Sequence, residues 1–544
     1  MIRRLPGSDP GTARPTVPGW PTGRWIIAVV VLALAPEGLA SQDRPVRERT
    51  VYEDLQMFSQ VLNQIRVNHP DTVAPHTLFM AAIEGMVRAA DPHSYVIPAA
   101  RLAPEKERAY RDGKLVPVPL TFRYIGGTPV VVSVRPGTSA GRAGIMPGDE
   151  LVAIEGEPVR ATTAFELEIV LAGPPASEVS LTFRRRRLDG STTRTTSTVA
   201  REEPDPAEAV PVAELITDGI GYVRVTTFAS EEVADDLDDA LDRLEDQGME
   251  GLVLDLRDNG GGLIDEAAAV AGAFLPRNAV VYTTSGRKTE VVDTGRVRRS
   301  FWRSERDYPL VLLVNEGTAS AAELVAGAFQ DHDRALVAGR PTFGKALLMQ
   351  PFPLTDGSIM VLVIGKVHTP CGRTVQREYR DLSTQEYYRA TAEERSRAQR
   401  EACTTASGRT VYGGGGIYPD HLIERRPTPR WVDRIHEEDL LLRWVPGLLD
   451  DRPDRYAALQ EVIGAPGLHA DDLRAFLDFA AEQGVPVPDD DEAHDRLQRL
   501  ILARIAAARF GAPGLYRYLA HNDPDVQTGV ALLPEARALL EPGR

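Results

Sequence analysis

Two unbroken apolar runs, "GLVLDL" (251–256) and "YPLVLLVN" (308–315), constrain the fold of this 544-residue chain more than any other feature. A strand with one wet face alternates apolar and polar residues. A strand that is apolar throughout must be covered on both faces, as in a parallel sheet between layers of helices. Around these runs, residues 219–368 alternate between β and α patterns. "GYVRVTTF" (221–228) reads as a strand. Residues 230–248 read as a helix with Val233, Leu237, Leu241 and Leu244 inward, Ser230 as N-cap and Gly248 at its C-terminal exit. "EAAAVAGAFL" (266–275) is a second helix, and a third starts after Ser320. "RALVAG" (334–339) and "IMVLVIGKV" (359–367) add strands. The expected core is α/β, layered around a largely parallel sheet.

The flanking regions differ in character. Arg3, Arg4, Arg14 and Arg24 precede the apolar run 25–35, and small Gly38 and Ala40 follow it. That is the pattern of an export signal, residues 1–40, with cleavage after Ala40. The run is well short of the ~20 apolar residues that span a bilayer, so membrane contact is expected at most through an uncleaved N-terminal segment. Residues 41–105 form a linker and a helical region with Leu55, Phe58, Val61, Leu62 and Ile65 at helical spacing. Residues 106–202 mix short β-rich runs with Gly/Pro turns, 203–425 hold the α/β core, and 426–544 are helical and charged. Packing against the core and self-association are both open for that last region. The net charge of −16 argues against a nucleic-acid partner. The two cysteines, Cys371 and Cys403, flank a polar insertion at 377–410; outside the cytoplasm they could pair, the alternative being two buried thiols.

Three segments carry chemistry. Ser320 opens "SAAE" (320–323), a capping box with Glu323 at the third helical position. The same position suits a nucleophile, because unpaired N–H groups at a helix N-terminus favour a developing oxyanion. Lys345 follows in "TFGKA" (342–346). Of 62 Lys plus Arg only five are lysine, so this chain uses arginine wherever positive charge suffices. Lysine, unlike arginine, can lose its proton once desolvated. At a reference pKa of ~10.4 only about one lysine in 2,500 is neutral at pH 7, and burial can lower that pKa by up to ~3–5 units. A base at Lys345 for the Ser320 hydroxyl is therefore expected, with activity rising with pH. The third segment, "DLRDNGGG" (255–262), ends a strand in glycines whose N–H groups can converge on an anion. "GRPTFGKA" (339–346) approaches a phosphate-binding loop, but Ala346 replaces the magnesium-binding hydroxyl and Pro341 removes a donor. No zinc motif supports metal hydrolysis, and no cofactor is expected.

In combination, "DPHSYV" (91–96), "GTSAGRAGIMPGDELVAIEGEPV" (137–159), "LVLDLRDNGGGLIDEA" (252–267), the stretch 314–345 and "TPCGRTVQ" (369–376) resemble the carboxyl-terminal processing peptidases, or tail-specific proteases. The second of these carries the likeness to a PDZ domain. The resemblance implies a crotonase-like α/β peptidase core with an inserted, mostly β PDZ domain and helical N- and C-terminal regions. It implies an exported serine endopeptidase, in the periplasm or cell envelope of a bacterium, whose PDZ groove engages protein or peptide substrates. Matched residue by residue, it makes Ser320 the nucleophile, Lys345 the base, the backbone of Gly261 and Ala321 the oxyanion hole, and Asp331 a supporting polar residue. Two positions depart from the family. Met349 stands where a glutamine usually orients the lysine, and Pro117 and Pro119 stand in the PDZ carboxylate loop, where they offer no N–H. An impaired PDZ–protease scaffold is the alternative these departures favour. A crotonase-like enzyme acting on acyl thioesters fits export poorly.

Overall fold

The structure, a computed structural model, describes residues 50–540 except 98–105, 107–108, 111–113, 135–137, 162, 203–208, 289–291, 299–304, 357, 380–401 and 426. The expected signal and most of the polar insertion lie outside the described residues. The chain forms two units, Met1–Leu78 and Phe79–Arg544. In the first, helix Val51–Asn68 begins at a capping box. Thr50 N–H donates to Glu53 at 2.8 Å and Glu53 N–H donates back to the Thr50 hydroxyl at 3.3 Å.

In the second unit the two apolar runs lie where two-sided burial requires. The sheet order is His421–Leu422, Leu336–Gly339, Leu310–Val314, Gly251–Asp255, Ile220–Arg224 and Val212–Thr217, and only the last pair is antiparallel. Leu252, Leu254, Leu310 and Leu312 face one way, onto helices Val233–Asp246, Ile264–Gly272 and Ala321–Asp331. Val253, Val311 and Leu313 face the other, onto Val526, Leu533 and Ala536 of the C-terminal helices. Gly529 lies so close to the sheet that an added Cβ would come 3.2 Å from Val253 and 3.3 Å from Leu313. The end of the C-terminal region is thus a layer of the core, which answers the question of whether it packs there.

Two readings need correction. Ser230 is not the N-cap: the helix starts at Val233 behind Glu232, and the Ser230 hydroxyl accepts from Glu232 N–H at 3.2 Å in a turn ahead of it. Gly248, at φ 89°, does form the exit. "IMVLVIGKV" does not join the parallel sheet. Strand Ile359–His368 is the centre of a separate antiparallel sheet, paired with Leu347–Pro353, Tyr95–Ile97 and Val280–Gly286. Its residues are mostly half-buried; an apolar run shows that a strand is covered but not by which sheet. Tyr95–Ile97, assigned by sequence to the N-terminal helical region, belongs to this sheet as well.

The PDZ sheet runs Leu120–Ile125, Thr128–Val134, Glu150–Ile154, Glu178–Arg186 and Thr192–Ala200, with helix Ala164–Leu171 alongside. Val131, Leu167, Leu181 and Val199 form its core. The C-terminal helices Leu440–Asp451, Ala470–Glu482 and Asp491–Asn522 enclose a further core around Leu448, Phe476, Leu497 and Ile501. They also meet the PDZ domain. Arg187 pairs with Asp451 at 2.5 Å, and a Cβ on Gly148 would come 2.1 Å from the Leu442 carbonyl oxygen. Cys371 and Cys403 are disulfide-bonded, with Cα atoms 6.5 Å apart.

Candidate active site

Strand Leu310–Val314 ends in a loop that turns into helix Ala321–Asp331, and Ser320 sits at the junction with φ 57° and ψ −121°. A non-glycine residue there costs of order 1–3 kcal/mol and persists only where its surroundings impose it. Those surroundings are visible. Ala319 N–H donates to the Asn259 carbonyl at 2.9 Å, and the Thr318 hydroxyl donates to the Leu256 carbonyl at 2.8 Å. Asp258 N–H donates to the Asn315 side chain at 2.9 Å. The "DLRDNGGG" turn and the Ser320 loop are therefore bound to each other. Behind the turn, the buried Asp255 carboxylate takes Arg224 at 2.8 Å, Arg257 at 2.7 Å and the Tyr222 hydroxyl at 2.8 Å; burial pushes its pKa up, but Arg257 and Arg224 together outweigh that and hold it far below the usual carboxylate range. Arg257 reaches on to Asp523 at 2.8 Å, tying the turn to the C-terminal helices.

Gly261 lies directly against the serine. At φ 92° an added Cβ would come 2.7 Å from both the Ala319 oxygen and Ser320 Cβ, and 2.8 Å from Ala321 N. Its N–H, however, donates to Asn259 Oδ1 at 2.9 Å. The expectation that this N–H is an open oxyanion donor is therefore not met in this conformation, because the asparagine two residues back captures it. What Gly261 supplies is close approach. Ala321 N–H, at the first helical position, has no acceptor among the described residues, as is usual for a helix N-terminus. Gly261→Ala should lower any turnover that depends on Ser320 about 100-fold, since displacing a reacting group by an ångström has that order of effect. Turnover measured beside a thermal melt checks this; near-normal turnover would contradict the packing described.

Glu323 joins the two sequence-predicted residues. It is fully buried. Its Oε2 accepts from Ser320 N–H at 2.9 Å and from Lys345 N–H at 2.8 Å, so both backbones hang on one oxygen. Its Oε1 accepts from Gly344 N–H at 2.8 Å and from the Thr342 hydroxyl. Burial pushes its pKa up to about 7, with these donors pulling the other way. The Lys345 side chain is half-buried, and desolvation lowers its pKa while Glu323 raises it. No hydrogen bond links Ser320 Oγ to Lys345 Nζ among the described residues, and the amine has no other hydrogen-bond partner there. Catalytic bonds are often long or poorly aligned without substrate.

The remaining predicted residues fall as follows. Met349 is on strand Leu347–Pro353, where the pairing shifts register between Leu348 and Met349. The extra residue is Ile364 on the opposite strand, so the irregularity does not turn Gln350 to the Met349 side, and Gln350 is exposed. Asp331 ends the serine's helix, about 16 Å along its axis from Ser320 at 1.5 Å per residue. It accepts from Cys371 N–H at 2.8 Å and pairs with Arg373, so it braces the disulfide-bearing loop and does not touch the serine or the lysine.

Sequence reasoning missed His93 and Arg377. His93 is buried, its N–H donates to Asp91 at 2.8 Å, and its ring meets Tyr379 edge-on at 5.9 Å. Burial, then the Lys345 cation, pushes its imidazole down to about 4, so it is neutral near pH 7 within electrostatic reach of Lys345. Arg377 stacks over Phe343, 5.0 Å from the ring centre, and its N–H donates to the Gly344 carbonyl at 2.9 Å. The only signals were the motif "DPHSYV", which contains His93, and "TPCGRTVQ", which ends one residue before Arg377; neither carries a spacing to Lys345.

In the PDZ domain the groove between strand Leu120–Ile125 and helix Ala164–Leu171 holds a cavity of about 350 Å³, lined by Val118, Leu120, Phe122, Glu168 and Leu171. Besides the missing donors at Pro117 and Pro119, Leu120 N–H is spent on the Val118 carbonyl at 2.8 Å.

Residues 219–381 match the model of Peptidase family S41, and residues 130–185 match that of the PDZ domain. A carboxy-terminal-processing protease of Bartonella bacilliformis is 29% identical over 362 residues, covering 65% of this chain and 79% of the relative. A carboxyl-terminal-processing protease of Synechocystis sp. is 35% identical over 242 residues, covering 43% of this chain; the chain thus spans about half, 53%, of that relative's length. The solved photosystem II D1 C-terminal processing protease is 25% identical, with a TM-score of 0.35 over 68% of this chain and 86% of that one. The chain therefore carries a family S41 peptidase core and a PDZ domain, and resembles the C-terminal processing proteases of bacteria and chloroplasts.

Proposed function

We propose that this chain is an exported serine endopeptidase of the C-terminal processing type, acting in the bacterial cell envelope, with Ser320 as nucleophile and Lys345 as general base. One observation carries the reading: a single buried carboxylate, Glu323, holds the backbone N–H groups of a strained serine and a half-buried lysine on the same oxygen. In the proposed reaction the neutral Lys345 amine takes the Ser320 hydroxyl proton as Oγ attacks a peptide carbonyl. Ala321 N–H stabilises the oxyanion. The lysine returns the proton to the leaving amine, and water then releases the acyl-enzyme by the same exchange. Protein or peptide substrates suit both the peptidase core and the PDZ groove. Export rests on the arginine-flanked apolar run at 25–35.

The test compares casein cleavage by the purified chain with that by Ser320→Ala. Loss of cleavage in the variant alone is expected. Equal, negligible cleavage by both would favour the scaffold reading, to which Met349 and the two PDZ prolines lend support.

A further inference from the structure

Helix Pro524–Ala531, whose Gly529 rests on the sheet, is capped by Asp523. Asp523 and Asp525 reach the two loops that build the Ser320 site. Asp523 Oδ2 accepts from Arg257 Nη1 at 2.8 Å, and Asp525 Oδ2 accepts from the same nitrogen at 3.4 Å. Asp525 Oδ2 also accepts from Arg340 Nη1 at 3.0 Å, while Arg340 Nε donates to Glu316 at 3.1 Å. Arg257 belongs to the glycine turn, and Glu316 to the loop that ends at Ser320. Arg340 N–H donates to the Val314 carbonyl at 3.1 Å, where that loop leaves its strand. Five residues further on the chain reaches Lys345.

Charge balance gives these contacts their weight. Asp255 is fully buried and takes two guanidiniums, Arg224 and Arg257. One carboxylate against two cations leaves a positive charge over in the interior, where an uncompensated charge is costly. Asp258 stands 3.6 Å from Arg224, but its side chain is 71% exposed and water screens it. Asp523 supplies the missing anion from 266 residues along the chain. Arg224 leans on the same region, with its guanidinium 4.5 Å from the ring centre of Tyr516 in helix Asp491–Asn522. It also donates to the Arg257 carbonyl at 2.7 Å, so the start of the turn is fixed through side chain and backbone together. Because the turn and the serine loop are bonded to each other, a shift of Arg257 passes on to Ser320. We propose that Asp523 and Asp525 are positioning residues for the Ser320 reaction: by anchoring Arg257 and Arg340 side by side they hold the glycine turn and the serine loop in register, and the C-terminal helices thereby complete the site. This rests on the reading given above for the reaction, but not for the anchoring itself.

The test places Asp523→Asn and Asp525→Asn, together, in the full chain. Asparagine keeps the size and the capping oxygen and removes the charge, so the fold should persist. On a fluorogenic peptide the double variant should lose about 10- to 100-fold in kcat with KM changed less than about twofold, because a displaced nucleophile slows the chemistry and leaves substrate binding alone. Leu533→Ala is the structural control. Leu533 belongs to the same helical layer but packs beside Gly251, at the opposite end of the strand from Asp255. It should lower the melting temperature at least as much as the double variant and leave kcat unchanged. Hydrogen–deuterium exchange on the same proteins reads the anchoring without any reaction: peptides covering 256–262 and 314–320 should exchange faster in the double variant than in wild type or Leu533→Ala. Unchanged exchange in both loops would overturn the proposal, as would an unchanged kcat in an active enzyme. An equal loss of kcat in Leu533→Ala would reduce the effect to general loosening and overturn it too. A wild-type chain that cleaves nothing would reject the proteolytic reading instead, and the exchange would still decide whether the two aspartates hold the loops.

Discussion

Lys345→Ala should reduce proteolysis about 10³-fold or more while leaving the fold intact. Removing a general base alone costs roughly 10²–10⁴, and members of a catalytic pair fail together. Lys345→Arg should fail comparably, because a guanidinium keeps its proton at any accessible pH. The fold should survive, since the side chain is half-buried and its amine has no hydrogen-bond partner among the described residues. The sign of the pH dependence follows from the same desolvation. The lysine's folded pKa is depressed below its ordinary ~10.4, so the neutral amine, and with it the rate, grows as pH rises through that depressed value. A depressed lysine also adds stability that is present in full above the unfolded pKa and lost as pH falls through the folded one. Losing the ammonium should therefore leave thermal stability near pH 7 unchanged or slightly improved. The measurements are kcat/KM on a fluorogenic peptide from pH 6 to 10, with melting curves for both variants. A rate that falls as pH rises, or substantial turnover in Lys345→Ala, would exclude Lys345 as the base.

The parallel sheet was legible in the sequence because its central strands are apolar at almost every residue, with Asp255 the exception at one strand's end, a pattern that two-sided burial explains. The strand at 359–368 was legible as a strand but not as a member of a different sheet, since apolar length carries no information about pairing partners. Ser320 and Lys345 were legible from residue chemistry: small neighbours around a helix start, and a rare lysine in an arginine-rich chain. The role of Glu323 was half legible. Its capping position is a three-residue pattern, but its bonds to Gly344 and Lys345 depend on a loop that returns 21 and 22 residues later. His93 was not legible as a neighbour of Lys345, because strand Tyr95–Ile97 brings it in by pairing with residues far along the chain. The capture of Gly261 N–H by Asn259 was likewise hidden; a glycine-rich turn shows which N–H groups can converge, not which one a side chain takes first.

Glu323→Ala should be the most damaging single substitution for structure and activity together. It would leave the N–H groups of Ser320, Gly344 and Lys345 and the Thr342 hydroxyl without their acceptor in a buried site. At about 1–3 kcal/mol for each unsatisfied group, and with partial relief from entering water, the expected cost is about 3–5 kcal/mol. That is of order 10 °C in melting temperature for a domain of this size. Activity should fall at least 100-fold, because the serine and lysine backbones lose their common anchor and the strained Ser320 conformation loses part of what imposes it. Glu323→Gln separates charge from shape. The amide keeps the size but offers one acceptor oxygen and turns an NH₂ toward N–H groups, so it should be less destabilising than alanine yet still nearly inactive. The pH dependence has a definite sign. Burial raises the Glu323 pKa to about 7, above the ~4.3 of a free glutamate. The stability this confers is present in full below the unfolded value and lost as pH rises through the folded one. The wild-type advantage over Glu323→Gln should therefore be larger at pH 6 than at pH 8. Equal gaps at the two pH values would show that the carboxylate is already ionised at pH 6. Activity retained in Glu323→Ala would mean that the serine and lysine are held together by something other than this residue.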